Sequence, residues 1–60
     1  MELITIKNGH IKRKEYKTQM NLHKAQRKAV NENANFIAKK YDDGSVYIYN
    51  SRTNLFVKTR

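Results

Sequence analysis

Short alternating runs of apolar and polar residues, punctuated by compact turn signals, organise most of the chain. Glu2-Leu3-Ile4-Thr5-Ile6-Lys7 is rich in β-branched residues and leads into Asn8-Gly9. Both turn residues accept positive φ, so the pair is a strong two-residue hairpin signal. The return strand then runs from His10 to Glu15. It sets Lys7 opposite His10, Ile6 opposite Ile11, Thr5 opposite Lys12 and Ile4 opposite Arg13. One face of this hairpin carries Ile4, Ile6 and Ile11. The other carries Thr5, Lys7, His10, Lys12 and Lys14. The period of two makes the isoleucine face the one expected to be covered.

From about Thr18 to Asn33 the period changes to that of a helix. Thr18 can serve as N-cap, and Gln, Met, Leu, Lys, Ala and Arg are good helix formers. Leu22, Ala25, Ala29 and Val30 fall on one stripe, with Met20 near its start; Lys24, Arg27, Lys28 and Asn31 fall opposite. Two alanines make the stripe thin, so this helix needs a sheet to lie against. Asn31-Glu32-Asn33-Ala34-Asn35 leaves two readings. Either the helix stops there and Phe36 to Tyr41 is a strand, or it continues to Lys40. The next residues favour the strand, because Tyr41-Asp42-Asp43-Gly44-Ser45 fits a three-residue hairpin loop with glycine in the left-handed region.

Val46-Tyr47-Ile48-Tyr49-Asn50 alternates β-branched and aromatic residues, Ser51 to Asn54 turns the chain, and Leu55 to Lys58 returns. Pairing Asn50 with Leu55 sets Ile48 opposite Val57 and Tyr49 opposite Phe56, and the preceding turn sets Ala38 opposite Ile48. One face of this meander holds Phe36, Ala38, Val46, Ile48, Leu55 and Val57, and it is expected to receive the helix. The other holds Ile37, Lys39, Tyr47, Tyr49, Phe56, Lys58 and Arg60. The expected fold is one α+β domain over residues 1–60, with an N-terminal β-hairpin, one central helix and a C-terminal antiparallel three-stranded meander (ββαβββ).

Sixty residues leave no room for a second domain or a large cofactor fold. The mean hydropathy of −0.93 raises the question of disorder. Six aromatics, no proline and clear turn signals answer it in favour of folding. No cysteine is present, so disulfides, thiolate nucleophiles and cysteine-held metals are excluded. His10 and His23 have no acid at ligand spacing, and Asp42-Asp43 is explained by turn chemistry. Neither a metal site nor a cofactor is expected. With no Ser/His or paired-carboxylate arrangement and no glycine-rich phosphate loop, an enzyme is not expected either. No apolar run approaches the roughly 20 residues of a membrane span, and no basic, apolar leader opens the chain. The expectation is a cytoplasmic protein.

Charge then points to the partner. Thirteen Lys/Arg against five Asp/Glu give a net charge of +8. The densest cluster is His10, Lys12, Arg13, Lys14 and Lys17; Lys24, Arg27 and Lys28 form a second group on the helix. Both suit phosphate contact. If the second meander face is open, Tyr47, Tyr49 and Phe56 offer stacking surfaces among Lys39 and Lys58, the chemistry of single-stranded nucleic-acid binding. That face would serve equally as a homodimer interface or as plain sheet cover. The leading expectation is a non-enzymatic binder of RNA or single-stranded DNA in preference to duplex. The alternative is a protein-binding inhibitor or antitoxin-like module acting on a partner such as a nucleic-acid-processing enzyme. The size, the lysine and asparagine content and the lack of any motif are similar to those of small phage or mobile-element accessory proteins.

Overall fold

A computed structural model describes residues 1–59. In order the elements are β1 (Glu2–Lys7), β2 (His10–Glu15), α1 (Gln19–Asn31), β3 (Phe36–Lys40), β4 (Val46–Asn50) and β5 (Leu55–Lys58). The strands form one antiparallel sheet in the order β2-β1-β3-β4-β5. The expected ββαβββ architecture is therefore present.

Turn chemistry sets the registers. Asn8 and Gly9 both have positive φ, 52° and 82°, and Lys7 pairs with His10. Gly44, with φ of 89°, closes the β3–β4 loop, where the Tyr41 amide donates to the Ser45 carbonyl. Ala38 then pairs with Ile48, and Asn50 with Leu55. The Thr18 hydroxyl caps α1 by accepting from the Asn21 amide at 3.2 Å. At the other end Asn33 takes a left-handed φ of 57°; its amide donates to the Val30 carbonyl, and that of Ala34 to the Ala29 carbonyl. This paired arrangement satisfies the last carbonyls and stops the helix. It frees Phe36–Lys40 to be a strand, which settles the choice at residues 34–41.

The chain joins its halves through β1 and β3, with Leu3 opposite Lys39, Ile4 opposite Ala38 and Thr5 opposite Ile37. That register puts the aliphatic faces of the two halves on one side of the sheet, and the helix covers the other side, the reverse of the one expected. The core is Leu3, Leu22, Ala29 and Ile37, with Tyr16, Ala25, Val30, Tyr41, Tyr49 and Phe56 packed against it. The covered face is thus the aromatic–basic one. The aliphatic face, with Ile4, Ile6, Ile11, Phe36, Ala38, Val46, Ile48, Leu55 and Val57, has no element over it. The reason is volume. Ala25 and Ala29 bring little bulk to the helix underside, and the long rings of the sheet supply what the alanines lack. Met20, assigned to the start of the stripe, is 68% exposed instead. Arg60 lies outside the described residues.

Candidate nucleic-acid interface

Strand β2 is an edge strand with all six residues exposed. Alternation divides its cations between the two sides of the sheet. Arg13 points to the open side, where its guanidinium donates two hydrogen bonds, of 3.2 and 3.1 Å, to the Glu2 carboxylate. Those bonds hold the Glu2 carboxyl below its ordinary value. Lys12 and Lys14 point to the helix side. There α1 presents Lys24 and Lys28, one turn apart and so about 6 Å along its axis. Lys17 lies in the connection between β2 and α1.

These five lysines line one groove between β2 and α1. Leu3, Thr5, Ala25 and Ala29 form part of its wall near Lys12, Lys14 and Lys28, with Glu32 at one end. Glu15, Asn21, Lys17 and Lys24 extend it towards the start of the helix. Tyr16 lines both parts, and the Lys14 ammonium stands 5.6 Å from its ring centroid. Among the described residues none of the five lysines is in an ion pair. Glu32 is engaged instead by Lys7, at 4.0 Å.

The other residues proposed from sequence fall elsewhere. Arg27 lies along the opposite flank of α1, beside Gln26, Val30, Tyr49, Asn54 and Phe56. Lys39 is buried at 8% exposure, with its ammonium donating to the Gln26 side chain at 3.1 Å. It also sits 4.4 Å from the Phe56 ring centroid and 5.6 Å from those of Tyr41 and Tyr47. Tyr49 and Phe56 contact each other at 5.3 Å, and the Tyr49 hydroxyl donates to Asn54. Tyr47 meets Tyr41 edge to face. These rings are half-buried on the helix side, so the open stacking platform expected from the sequence is not formed. Lys58 is exposed on β5, at the far edge from the groove. Tyr16 was the residue missed. Its signal was its place between Lys14 and Lys17, an aromatic inside the basic run.

Asp43 accepts from both the amide and the hydroxyl of Ser45, at 2.9 and 2.6 Å, and these bonds hold its carboxyl below the ordinary value. It is a turn residue. Among the described residues no three His, Cys, Asp or Glu side chains come together as metal ligands. Among the described residues no helix is long and apolar enough to cross a membrane. No family model, curated protein or solved structure matches the chain.

Proposed function

We propose that this chain is a non-enzymatic, cytoplasmic nucleic-acid-binding protein that holds a phosphate backbone in the groove between β2 and α1. One observation carries the reading. Five lysines from two separate stretches of sequence converge on a single groove, outnumber Glu15 and Glu32 in its lining, and are in no ion pair among the described residues. Like charges held this close repel one another, and a polyanion relieves the repulsion while releasing its counterions. Lys12, Lys14, Lys17, Lys24 and Lys28 contact phosphates, and Tyr16 offers one ring to a base. A groove admits one strand, whereas a duplex touches only its rims, so RNA or single-stranded DNA is preferred. Lysine ammoniums are point charges without the forked geometry that reads a base edge, so binding is sequence-tolerant. The protein-inhibitor alternative draws its hot spots from Tyr47, Tyr49 and Phe56, and α1 lies over that face.

Fluorescence anisotropy with labelled single-stranded RNA, single-stranded DNA and duplex DNA across a salt series tests the reading. Five phosphate contacts on a single strand predict a log–log salt slope of about −3.5. Lys14→Ala with Lys28→Ala lowers the slope to about −2, as two contacts are lost. An unchanged slope and affinity in that variant would overturn the groove as the site.

A further inference from the structure

The open face of the sheet differs in kind from the groove. At its centre lie Ile4, Ile6 and Ile48, half-buried only by their neighbours in the sheet. Its two edges carry Ile11 at 68% exposure, Leu55 at 64% and Val57 at 49%. These are three of the four large apolar side chains the described residues expose. Monomeric proteins rarely leave so continuous an apolar surface in water.

We infer that this face is covered by a second copy of the same chain, sheet against sheet, in a two-fold dimer with the helices outermost. Charge selects this occupant. The ionic groups on the open face are Glu2 and Glu15 on one side of the balance, Arg13 and Lys40 on the other. They cancel, so the net charge of +8 resides elsewhere on the molecule. A nucleic acid or an acidic protein gains nothing from this surface. Two strongly cationic copies meet here without opposing each other, because both grooves point away from the contact. Area is consistent with the same occupant. The five strands, about 4.8 Å apart and four to six residues long, make a face of roughly 24 by 17 Å. Two such faces bury roughly 800 Å², the size of a weak, reversible contact. The result is a four-layer α–β–β–α particle with its sheets about 10 Å apart and one lysine groove on each outer side.

Sedimentation equilibrium on the nuclease-treated full chain tests this directly. The expected result is a concentration-dependent dimer that persists in about 1 M NaCl, where charge contacts are screened to about 3 Å. Ile11→Lys with Leu55→Lys weakens it by at least about 100-fold, by desolvating and opposing charges across the contact. Both positions are exposed in the single copy, so circular dichroism stays native. Met20→Lys, equally exposed but on the helix at the other side of the sheet, leaves the dimer intact. A second readout needs no variant: the methyl resonances of Ile11, Leu55 and Val57 shift on dilution while those of Leu22 do not. A wild-type chain that stays monomeric up to about 200 µM, far above the micromolar Kd such an area allows, would overturn the inference. So would a dimer that tolerates the double lysine variant, or one that dissolves in high salt.

Discussion

On the helix side of the sheet, Leu3 and Ile37 sit among Tyr16, Tyr41, Tyr49 and Phe56, with the Lys39 ammonium enclosed by rings. On the other side Ile4, Ile6, Ile48, Leu55 and Val57 make an almost purely aliphatic surface that none of the described elements covers. The more hydrophobic face is the open one. The comparison shows that what a helix covers is decided by fit as well as by polarity. An underside of Leu22, Ala25 and Ala29 leaves space above the sheet, and tyrosine and phenylalanine rings fill it. A lysine is tolerated among them because its stem packs, the ring faces attract its charge, and the Gln26 side-chain oxygen accepts a hydrogen bond from its ammonium.

The comparison is most exposed to failure in the cores of the two faces. Leu22→Ala, at 0% exposure, is expected to cost about 2–5 kcal/mol, enough to unfold much of so small a domain. Ile48→Ala, on the open face, is expected to cost about 1 kcal/mol in dilute protein. Urea denaturation of both at low concentration measures the gap, and equal costs would mean that the two faces are equally buried. Next in size is Lys39. Lys39→Ala empties the space between the rings and is expected to lose about 2 kcal/mol, whereas Lys39→Met keeps the stem and loses less than about 1 kcal/mol. A methionine variant as unstable as the alanine one would assign the stabilisation to the charge. Asn33→Ala removes the side-chain amide that lets asparagine tolerate a φ of 57° and is expected to cost about 1 kcal/mol, with Asn33→Gly, which has no β-carbon, near neutral. Thermal melts separate those two.

The smallest effect concerns pH. Arg13 lowers the pKa of Glu2, and the Ser45 bonds lower that of Asp43. Both carboxyls are depressed by folding, so their contribution is complete at neutral pH. It is lost as pH falls below about 4.5 and through their folded values. A melting series from pH 7 to pH 3 should therefore show a decline starting near that point. Glu2→Gln flattens only the open-face share of it.

Almost every local feature was legible in the residues. Asn8-Gly9, the Asp42–Gly44 loop and the Ser51–Asn54 turn dictate their hairpins through backbone conformation, which depends on a few neighbouring residues. The two faces of each hairpin were also legible, because alternation is a local property. The choice between the faces was not. It depends on which side of the sheet α1 crosses between β2 and β3, a choice that leaves no short-range mark. Leu3 and Ile37 belong to the core because α1 lies on their side of the sheet. The same step hid the groove: Lys12 and Lys14 join Lys24 and Lys28 only once α1 has crossed the sheet beside β2. Arg13 and Lys39 resemble their neighbours in sequence, and one residue of alternation or one crossing helix removes them.

The β1–β3 ladder also governs the order in which the molecule assembles. The pairs β1–β2, β3–β4 and β4–β5 each close over a short turn and can form within about 1–10 µs. Joining Ile6 to Phe36 and Glu2 to Lys40 draws together segments separated by the whole of α1. The entropy of closing that span is lost before the contacts across it are made. The slow event in folding is thus expected to be the pairing of β1 with β3. Until it happens neither half of the sheet has a core, and the lysine groove does not exist.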